Sequence, residues 1–407
     1  MAVKIVRQPK KIALLGAPTS AAVMSTGHEK APAALRNAGL IDRLRAIGYE
    51  VADMGDDPVQ LFQQDDESPR ARNVGRVLKS LEALKPRVEQ AIKSGALPLI
   101  LSGDCSIALA TIAGARRYFR HVGLIYIDRD ADLYVPATSP SGCVDGMVIS
   151  HVVGRGAAEL VRFWGEPPLV REPDVALFGV ARLDMPEQEV LDRTPQLRRF
   201  LAADVVRTGA EGAAQTAVDR IRGVGNDFVL HLDVDVIDGF SATNYPGEGG
   251  LSLEQVREAL RVFVKQKNLA AIEVCAYNPE KDPDGSGAQL VIDLLVGVLG
   301  ERLDALKSEA PAAVEAPGSE PESEARNLPP QNPAISSVAV GEAWSSDMLE
   351  AESESVSPDV PAEGEAEQAS APPNRGSQES SEEIPAEDSP EVTSYETPEE
   401  SGGSHSE

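Results

Sequence analysis

Two clusters of aspartates, each placed directly after an apolar segment, are the residues of this chain best suited to chemistry. The five carboxylates are Asp128, Asp130 and Asp132 in the first cluster and Asp233 and Asp235 in the second. In a strand, residues i, i+2 and i+4 share a face, so the carboxylates of each cluster are expected to converge. Carboxylates gathered at the ends of buried strands repel each other unless cations lie among them. The spacing therefore predicts a metal centre, with two metal ions.

An alternating series of strands and helices must position these clusters. Strand-like apolar segments occur at residues 11–16, 49–53, 97–101, 122–127, 175–179, 200–205, 228–236 and 270–276. Helical patterns lie between them, at residues 31–47, 74–94, 106–118, 187–193, 212–223, 253–267 and 288–308. This alternation predicts an α/β fold of three layers, in which helices cover both faces of a parallel sheet of about eight strands.

Three polar segments follow predicted strands, at the edge of the sheet where open α/β folds bind their ligands. Two of them are the aspartate clusters. The third is Ser-Gly-Asp-Cys at residues 102–105, directly after the strand at 97–101. His231 shares a strand face with Asp233 and Asp235, which places it beneath the site; we expect it to be a hydrogen-bonded core histidine.

The negative charge of the 407-residue chain is concentrated near its end. Residues 305–407 carry a net charge of −21 of the total of −27, whereas residues 1–304 carry −6. Pro, Glu, Ser and Ala dominate the acidic part, and such a segment buries too little apolar surface to offset the entropy lost on ordering. We therefore expect a folded domain at residues 1–308 and a disordered acidic tail at residues 309–407.

Composition also argues against several classes of partner. An acidic body gives no electrostatic basis for binding nucleic acid, and no apolar segment is long enough to span a membrane. The start of the chain lacks a signal-peptide pattern. The three cysteines, Cys105, Cys143 and Cys275, do not suggest a disulfide framework. These features favour a cytoplasmic protein that acts on a small molecule.

Six short motifs occur in order along the body. They are Gly-His-Glu-Lys-Ala-Pro-Ala-Ala-Leu-Arg at 27–36, Ser-Gly-Asp-Cys-Ser at 102–106, Asp-Arg-Asp-Ala-Asp at 128–132, Ser-Gly-Cys-Val-Asp-Gly-Met at 141–147, Asp-Val-Asp at 233–235 with Gly-Gly-Leu at 249–251, and Asn-Pro at 278–279. Each resembles a motif of the ureohydrolases, the group of arginases, agmatinases and formiminoglutamases. One such match is weak, but six in order are a strong signal for this fold over residues 11 to 304.

The resemblance implies a binuclear manganese centre in a homo-oligomer, a trimer or hexamer. The implied metal ligands are Cys105, Asp128, Asp130, Asp132, Asp233 and Asp235. The implied catalytic residues are Asp132, which contacts the nucleophile, and Asp145, which handles protons, and the implied substrate contacts are Ser141, Tyr134 and Asp184. The implied reaction is hydrolysis of a C–N bond in a guanidino, amidino or formimino compound by a metal-bound hydroxide.

Five positions depart from the family's pattern. Cys105 and Asp130 replace two histidine ligands, and Asp145 replaces a proton-shuttling histidine. Tyr134 replaces an asparagine of the substrate loop, and Ala276 replaces the glutamate that holds the guanidinium. Five aspartates and a thiolate carry −6, against −4 for the family's ligands, so bound water should keep a higher pKa. The aspartates suit manganese or magnesium, whereas the cysteine would also accept zinc, iron or cobalt. Glu273 faces the other side of its strand from Ala276 and cannot easily substitute.

These departures leave two function classes open. The first is a C–N hydrolase that prefers a substrate other than arginine or has low activity. The second is an arginase-fold protein that binds metal or a small cation with little or no turnover. A haloacid-dehalogenase-like phosphatase also places Asp-x-Asp after a strand, but the first aspartate cluster would then go unexplained. An EF-hand at residues 128–132 fails because Leu133 occupies the obligatory glycine position.

Overall fold

A parallel sheet of eight strands carries the site. The computed structural model describes residues 5–222 and 227–308, so the predicted tail at 309–407 lies outside the described residues. The strands are β1 (Lys11–Ala17), β2 (Glu50–Asp56), β3 (Leu97–Ser102), β4 (Val122–Ile127), β5 (Val175–Val180), β6 (Arg198–Leu201), β7 (Asp227–Asp233) and β8 (Leu269–Cys275). Their order in the sheet is β2-β1-β3-β8-β7-β4-β5-β6.

The helices connect the strands and pack on both faces of the sheet. They are α1 (Ala31–Asn37), α2 (Leu40–Ala46), α3 (Val74–Lys93), α4 (Ala108–Arg116), α5 (Val148–Val152), α6 (Ala158–Arg162), α7 (Met185–Arg193), α8 (Ala202–Thr208), α9 (Ala210–Arg222), α10 (Leu253–Val264) and α11 (Ser286–Ser308). None of these helices is long and apolar enough to cross a membrane.

Strand register shows which helices share a face. Tyr126 is aligned with His231, and the next residue of β4, Ile127, is aligned with Leu232 and Phe178. Because neighbouring residues of a strand point to opposite faces, these two rows point to opposite sides. The row of His231 faces α4, whereas Phe178 contacts Phe263 of α10 with ring centroids 5.4 Å apart. The predicted three-layer fold and eight-stranded parallel sheet are confirmed.

Two predicted elements are divided differently in the structure. The helix predicted at 31–47 is interrupted between α1 and α2, where Gly39 adopts a φ of 95°, a conformation that costs glycine little. The strand predicted at 200–205 ends at Leu201, and α8 begins at Ala202. Ala202 and Val205 are buried at a spacing of three residues, which suits one face of a helix better than a strand.

The central strands bring the three polar segments to one edge of the sheet. Strands β3, β8, β7 and β4 are consecutive neighbours, and each ends beside a polar segment. Within this group Asp233 at the end of β7 is aligned with Cys275 at the end of β8. The sheet order therefore assembles residues that are more than 100 positions apart in the sequence.

Candidate metal centre

Two sets of metal-ligating side chains lie together at this edge of the sheet. In each set the ligand atoms lie within 4.8 Å of one another. The inner set consists of Cys105, Asp128 and Asp132, all buried, and the outer set consists of Asp128, Asp130 and Asp235. Asp233 adjoins the inner set, since Cys105 Sγ lies 3.0 Å from its Oδ2. All six predicted ligands are thus gathered in one place.

The first aspartate cluster converges by a turn and not by strand alternation, contrary to the sequence-based expectation. Strand β4 ends at Ile127, and Asp132 adopts a φ of 51°, in the left-handed region. The Asp130 N–H donates to Asp128 Oδ1 at 2.7 Å, and the Tyr126 hydroxyl donates to the Asp132 carboxylate. A non-glycine residue in this conformation costs on the order of 1–3 kcal/mol and is typical of functional sites. The strained backbone aims Asp132 back toward Asp128.

A similar change of backbone direction places Asp235. The strand predicted at 228–236 ends at Asp233, and a 3-10 turn (Val234–Val236) follows it. The Asp233 side chain accepts the Asp235 N–H at 2.7 Å. Such a local side-chain bond competes with the ladder bond that a continuing strand would need. Asp235 therefore turns toward the outer set.

Burial makes the carboxylates of the inner set and the adjoining carboxylate of Asp233 costly to ionise. It raises the pKa of Asp128 well above the ordinary value, and the charges of Asp233 and Asp132 raise that pKa further. The pKa of Asp132 is raised well above its ordinary value by burial and then by Asp145, and that of Asp233 by burial and then by Asp235. Among the described residues no lysine or arginine pairs with these three carboxylates. A divalent cation would satisfy them, and the thiol and carboxylate donors suit one.

Two arginine side chains of the protein already pair with carboxylates of the outer set. Arg182 holds the Asp130 carboxylate in a bidentate pair. Arg129, which is buried, donates from Nη2 to Asp235 Oδ2 at 3.3 Å and to the Tyr245 carbonyl at 2.6 Å. Burial and the charge of Asp130 still raise the pKa of Asp235 to about 6, although Arg129 opposes the shift. The outer set is therefore partly neutralised by guanidinium groups.

One oxygen of the outer set, Asp235 Oδ1, is buried without a hydrogen bond among the described residues. An unpaired buried carboxylate oxygen is costly unless a donor or a cation reaches it. This orphaned oxygen is an independent sign that the donor set fits a bound cation.

A cavity of about 320 Å³ opens onto the two sets. Its wall contains the three predicted substrate residues together with both predicted catalytic aspartates. The lining residues are Met24, Asp130, Asp132, Tyr134, Ser139, Pro140, Ser141, Cys143, Asp145, Gly146, Arg182, Asp184, Glu187 and Tyr245. Besides Asp132 and Asp145, the wall holds the carboxyl groups of Asp130, Asp184 and Glu187 against the one guanidinium of Arg182. This excess of acidic groups gives the cavity a negative character that suits a cationic ligand.

The predicted substrate residues are partly engaged by the protein itself. The Tyr134 hydroxyl donates to the Asp184 carboxylate. Asp184 also caps the N-terminus of α7, where it forms a capping box with Glu187. Ser141 Oγ accepts the Cys143 N–H at 3.1 Å. A ligand amino group that bound Asp184 would compete with these internal contacts.

Asp145 lies beside the inner set and borders the cavity. Its Oδ1 accepts the backbone N–H of Cys105 at 2.8 Å. Burial, followed by the charge of Asp104, raises the pKa of Asp145 to about 8. The raised pKa favours the protonated carboxyl group, which can donate its proton.

The position at which the resemblance implies an orienting glutamate lacks a carboxylate. Ala276 is buried, adopts a φ of 66° and donates its N–H to the Gly103 carbonyl at 2.8 Å. Glu273 points beneath the site, where Thr111 Oγ1 donates to its Oε1 at 2.7 Å and His231 Nδ1 lies 3.2 Å from its Oε2. The expectation that His231 is a hydrogen-bonded core residue is confirmed, whereas the opposite orientation of Glu273 and Ala276 stays a prediction.

Four contributors to the site escaped sequence reasoning: Arg129, Arg182, Tyr126 and the thiol of Cys275. Arg129 lies between two aspartates of the first cluster, and Arg182 follows the carboxyl end of β5. Their positions after strand ends could have indicated that both lie near the site. Tyr126 and Cys275 lie within apolar strands and resemble ordinary core residues. Their proximity to the aspartates depends on strand order, which the sequence pattern does not reveal.

Comparison with known proteins identifies the family. A profile described as Arginase family matches residues 10–300. The chain belongs to the Arginase family. The arginases of Bacillus caldovelox and Brevibacillus brevis are each 29% identical to it, over 300 and 296 residues that cover 72% of this chain and 99% of theirs. The predicted ureohydrolase resemblance is confirmed.

Solved structures agree with this assignment. The arginase structure from Bacillus caldovelox, at 29% identity, aligns with a TM-score of 0.66 and covers 72% of this chain and 98% of its own. The formimidoylglutamase of Bacillus subtilis, at 18% identity, has a TM-score of 0.57 over 75% of this chain and 88% of its own. At 18% identity, the similarity to the formimidoylglutamase supports the fold alone, because proteins with different substrates can share one fold.

Proposed function

We propose that the protein is a metal-dependent hydrolase that cleaves a C–N bond of a guanidino, amidino or formimino compound, with arginine a poor substrate. The observation that carries this proposal is the acidic cavity, whose wall includes Asp132 of the inner set. Buried Ala276 occupies the position at which the family resemblance implies an orienting carboxylate. Membership of the Arginase family supports the reaction class. A homo-oligomer, a trimer or hexamer by resemblance, stays a prediction.

The residues that would hold the metal are Asp128, Asp132 and Asp233, with Cys105, Asp130 and Asp235 as further donors. Carboxylates favour manganese, and the thiol extends the choice to zinc, iron or cobalt. A bound divalent cation would act as a Lewis acid and lower the pKa of water near the substrate carbon. Because two arginines pair with the outer set, we expect the inner set to bind the tighter ion.

The chain's own residues then orient water and move protons. Asp132, fixed by the Tyr126 hydroxyl, can accept a hydrogen bond from the attacking water and direct it toward the cavity. Asp145 can hold a proton for the leaving amine, because the Cys105 N–H keeps its carboxyl group beside the inner set. These are the two catalytic roles that we assign.

Substrate choice follows from what surrounds the cavity. A guanidinium is a planar cation with several donors, and a carboxylate is needed to fix its orientation. Ala276 cannot supply one, so arginine would be attracted by the negative cavity without being held in a productive position. Loss of such positioning lowers rates by orders of magnitude. A smaller amidino or formimino group needs fewer contacts to be oriented.

A second candidate function is supported by the arginines of the outer set. Arg182 places a guanidinium of the chain on Asp130, within the wall of the cavity. A guanidinium that stays there occupies a carboxylate that would otherwise serve a metal or a substrate. This arrangement favours binding of metal or a small cation with little turnover.

Urea and ammonia release separates the two candidates. Purified full-length protein, loaded with Mn²⁺, Zn²⁺ or Co²⁺, is assayed with arginine, agmatine and formimino compounds, with Asp132→Asn as the inactive control. We expect turnover of at least one non-arginine compound that is lost in the control. Turnover of none, with metal bound, supports the second candidate.

The reason for poor arginine hydrolysis is tested in the same assay. The triple variant Cys105→His, Asp130→His, Ala276→Glu should hydrolyse arginine at least about 100-fold faster than the unmodified protein, because it regains an orienting carboxylate. Efficient arginine hydrolysis by the unmodified protein would contradict the proposed substrate preference.

A further inference from the structure

A second donor cluster lies beneath the inner set and involves two residues that the proposed function does not use. Cys105, His231 and Cys275 have ligand atoms within 4.8 Å of one another, and all three residues are buried. Cys105 Sγ lies 3.2 Å from Cys275 Sγ, and Cys275 Sγ lies 3.3 Å from His231 Nε2. We call these three residues the thiol set. Soft sulfur and imidazole donors in this combination suit a thiophilic metal.

The imidazole is already oriented for ligation. His231 Nδ1 contacts Glu273 Oε2 at 3.2 Å, and Glu273 is held in turn by Thr111 Oγ1 at 2.7 Å. The ring also stacks on Tyr126, with centroids 4.2 Å apart. A carboxylate that accepts the Nδ1–H leaves the Nε2 lone pair free, and metal-binding histidines are typically held in this way. Nε2 points at the sulfur of Cys275.

A carboxylate completes a four-donor arrangement. Asp233 Oδ2 lies 3.0 Å from Cys105 Sγ and 3.8 Å from Cys275 Sγ. In tetrahedral zinc, Zn–S bonds of about 2.3 Å and Zn–N bonds of about 2.0 Å place two sulfurs roughly 3.8 Å apart and sulfur and nitrogen roughly 3.5 Å apart. The observed S–S distance is about 0.6 Å shorter than in that geometry, and the observed S–N distance is about 0.2 Å shorter. Small movements of the side chains would admit one ion.

We propose that Cys105, Cys275 and His231, with Asp233 as fourth donor, bind one thiophilic divalent ion of the zinc class. The site is distinct from the inner set because Cys275 and His231 belong to it alone, although Cys105 and the adjoining Asp233 are shared. Its two sulfurs and one nitrogen discriminate against manganese, which the carboxylates of the inner set prefer. Binding does not depend on the proposed hydrolase activity.

Ion binding must displace protons from the thiols. Both cysteines are deeply buried among carboxylates, which favours the neutral thiols while the site holds no cation. Metal ligation requires thiolates, so each bound ion should release about two protons from the cysteines. The thiols are neutral core residues without the ion and anionic ligands with it.

Spectroscopy of the full-length protein tests the ligand set directly. The protein is kept reduced with a phosphine, stripped with a chelator and titrated with Cd²⁺, whose bonds to thiolate give an ultraviolet charge-transfer band. Zn²⁺-loaded protein is then measured by X-ray absorption, which counts sulfur neighbours without any substitution. We expect a saturable band at about one equivalent and two sulfur neighbours per zinc.

Two cysteine variants separate the thiol set from the inner set. Cys275→Ser should remove about half of the band and weaken Cd²⁺ binding at least about tenfold, while Mn²⁺ binding is unchanged. Cys143→Ser is the matched control, since this buried cysteine lies outside the thiol set, and it should leave the band intact. Glu273→Gln should weaken binding by about 10- to 100-fold with the band retained, as expected of a positioning residue.

Three results would overturn the proposal. The first is the absence of a thiolate band in the stripped, reduced protein. The second is a band that Cys275→Ser leaves unchanged, because Cys105 would then act only with the carboxylates. The third is an X-ray absorption spectrum with one sulfur neighbour or none, which decides the matter even if Cys275→Ser does not fold.

Discussion

The inner and outer sets share Asp128 but differ in what balances their charge. The carboxylates of the inner set have no ion-pair partner among the described residues, and burial raises their pKa values well above the ordinary range. In the outer set Asp130 pairs with Arg182 and Asp235 pairs with Arg129. One half of the centre therefore needs protons or a metal ion, whereas the other half is supplied with cations by the chain.

This difference shows that similar carboxylates can be committed to different partners by their neighbours. A guanidinium satisfies a carboxylate through two parallel hydrogen bonds and cannot be deprotonated, so it stays in place at every ordinary pH. A metal ion that enters the outer set must displace or share these contacts. Within the part of the chain that the structure describes, the inner set has no such competing guanidinium, and we expect the two sets to bind metal with different affinities.

The largest effect should come from a ligand that belongs to both sets. Asp128→Asn should weaken Mn²⁺ binding by at least about 100-fold, since even residues that only support a ligand contribute about 10- to 100-fold. Asp130→Asn is the matched variant and should cost less than about tenfold, because its carboxylate is already paired with Arg182. Calorimetric titration measures both. Equal losses in the two variants would show that the outer set matters as much as the inner set.

The pH dependence of metal binding by the two sets can be interpreted only if the pH dependence of folding itself is known. His151, which lies outside both sets, should dominate the latter near pH 5. Its Nδ1 lies 2.7 Å from the Met147 carbonyl, and its Nε2 accepts the Ala157 N–H at 3.1 Å, which together fix the neutral tautomer. Burial lowers the pKa of His151 to about 4, below the ordinary value of 6.5. The unfolded chain thus binds more protons in this range, and the stability due to His151 falls as pH falls from 6.5 toward 4.

The expected loss by pH 5 is about 2 kcal/mol, from that pKa difference. His151→Gln cannot titrate, so the stability gap between it and the unmodified protein should narrow by that amount between pH 7.5 and 5. Urea unfolding at both pH values measures the gap, and the exposed His121→Gln serves as control. If the difference in unfolding free energy does not change with pH, His151 keeps an ordinary pKa in the folded protein. Changes in metal binding with pH could then be assigned directly to the inner and outer sets.

The smallest effect should come from removing a cation of the outer set. Arg182→Gln frees Asp130, so the affinity for a second Mn²⁺ ion should rise about tenfold, roughly 1.4 kcal/mol. Arg193→Gln, which breaks an exposed pair with Glu189 on α7, is the control and should change nothing. Calorimetry gives the stoichiometry. Weaker binding of the second ion in Arg182→Gln would show that the arginine positions Asp130 as a ligand.

The local sequence pattern was sufficient to predict the fold and the location of the site. Strand and helix alternation predicted the three-layer fold, and polar residues after apolar strands predicted the edge at which the site lies. These inferences succeed because side-chain direction in a strand and ligand position in a parallel sheet follow from short-range geometry. The order of the six motifs also indicated the Arginase family, because motif order can be read directly from the sequence.

Tertiary structure alone decided how the ligands are grouped. The turn at Asp132, the pairing of Arg182 with Asp130 and the contact of Cys275 with Cys105 join residues on different strands or reverse the chain direction. Strand order β3-β8-β7-β4 brings them together, although β3 and β8 are far apart in sequence. Charge balance is a property of that assembled set, because the electrostatic energy of a buried carboxylate depends on every ion within a few ångströms and not on its sequence neighbours.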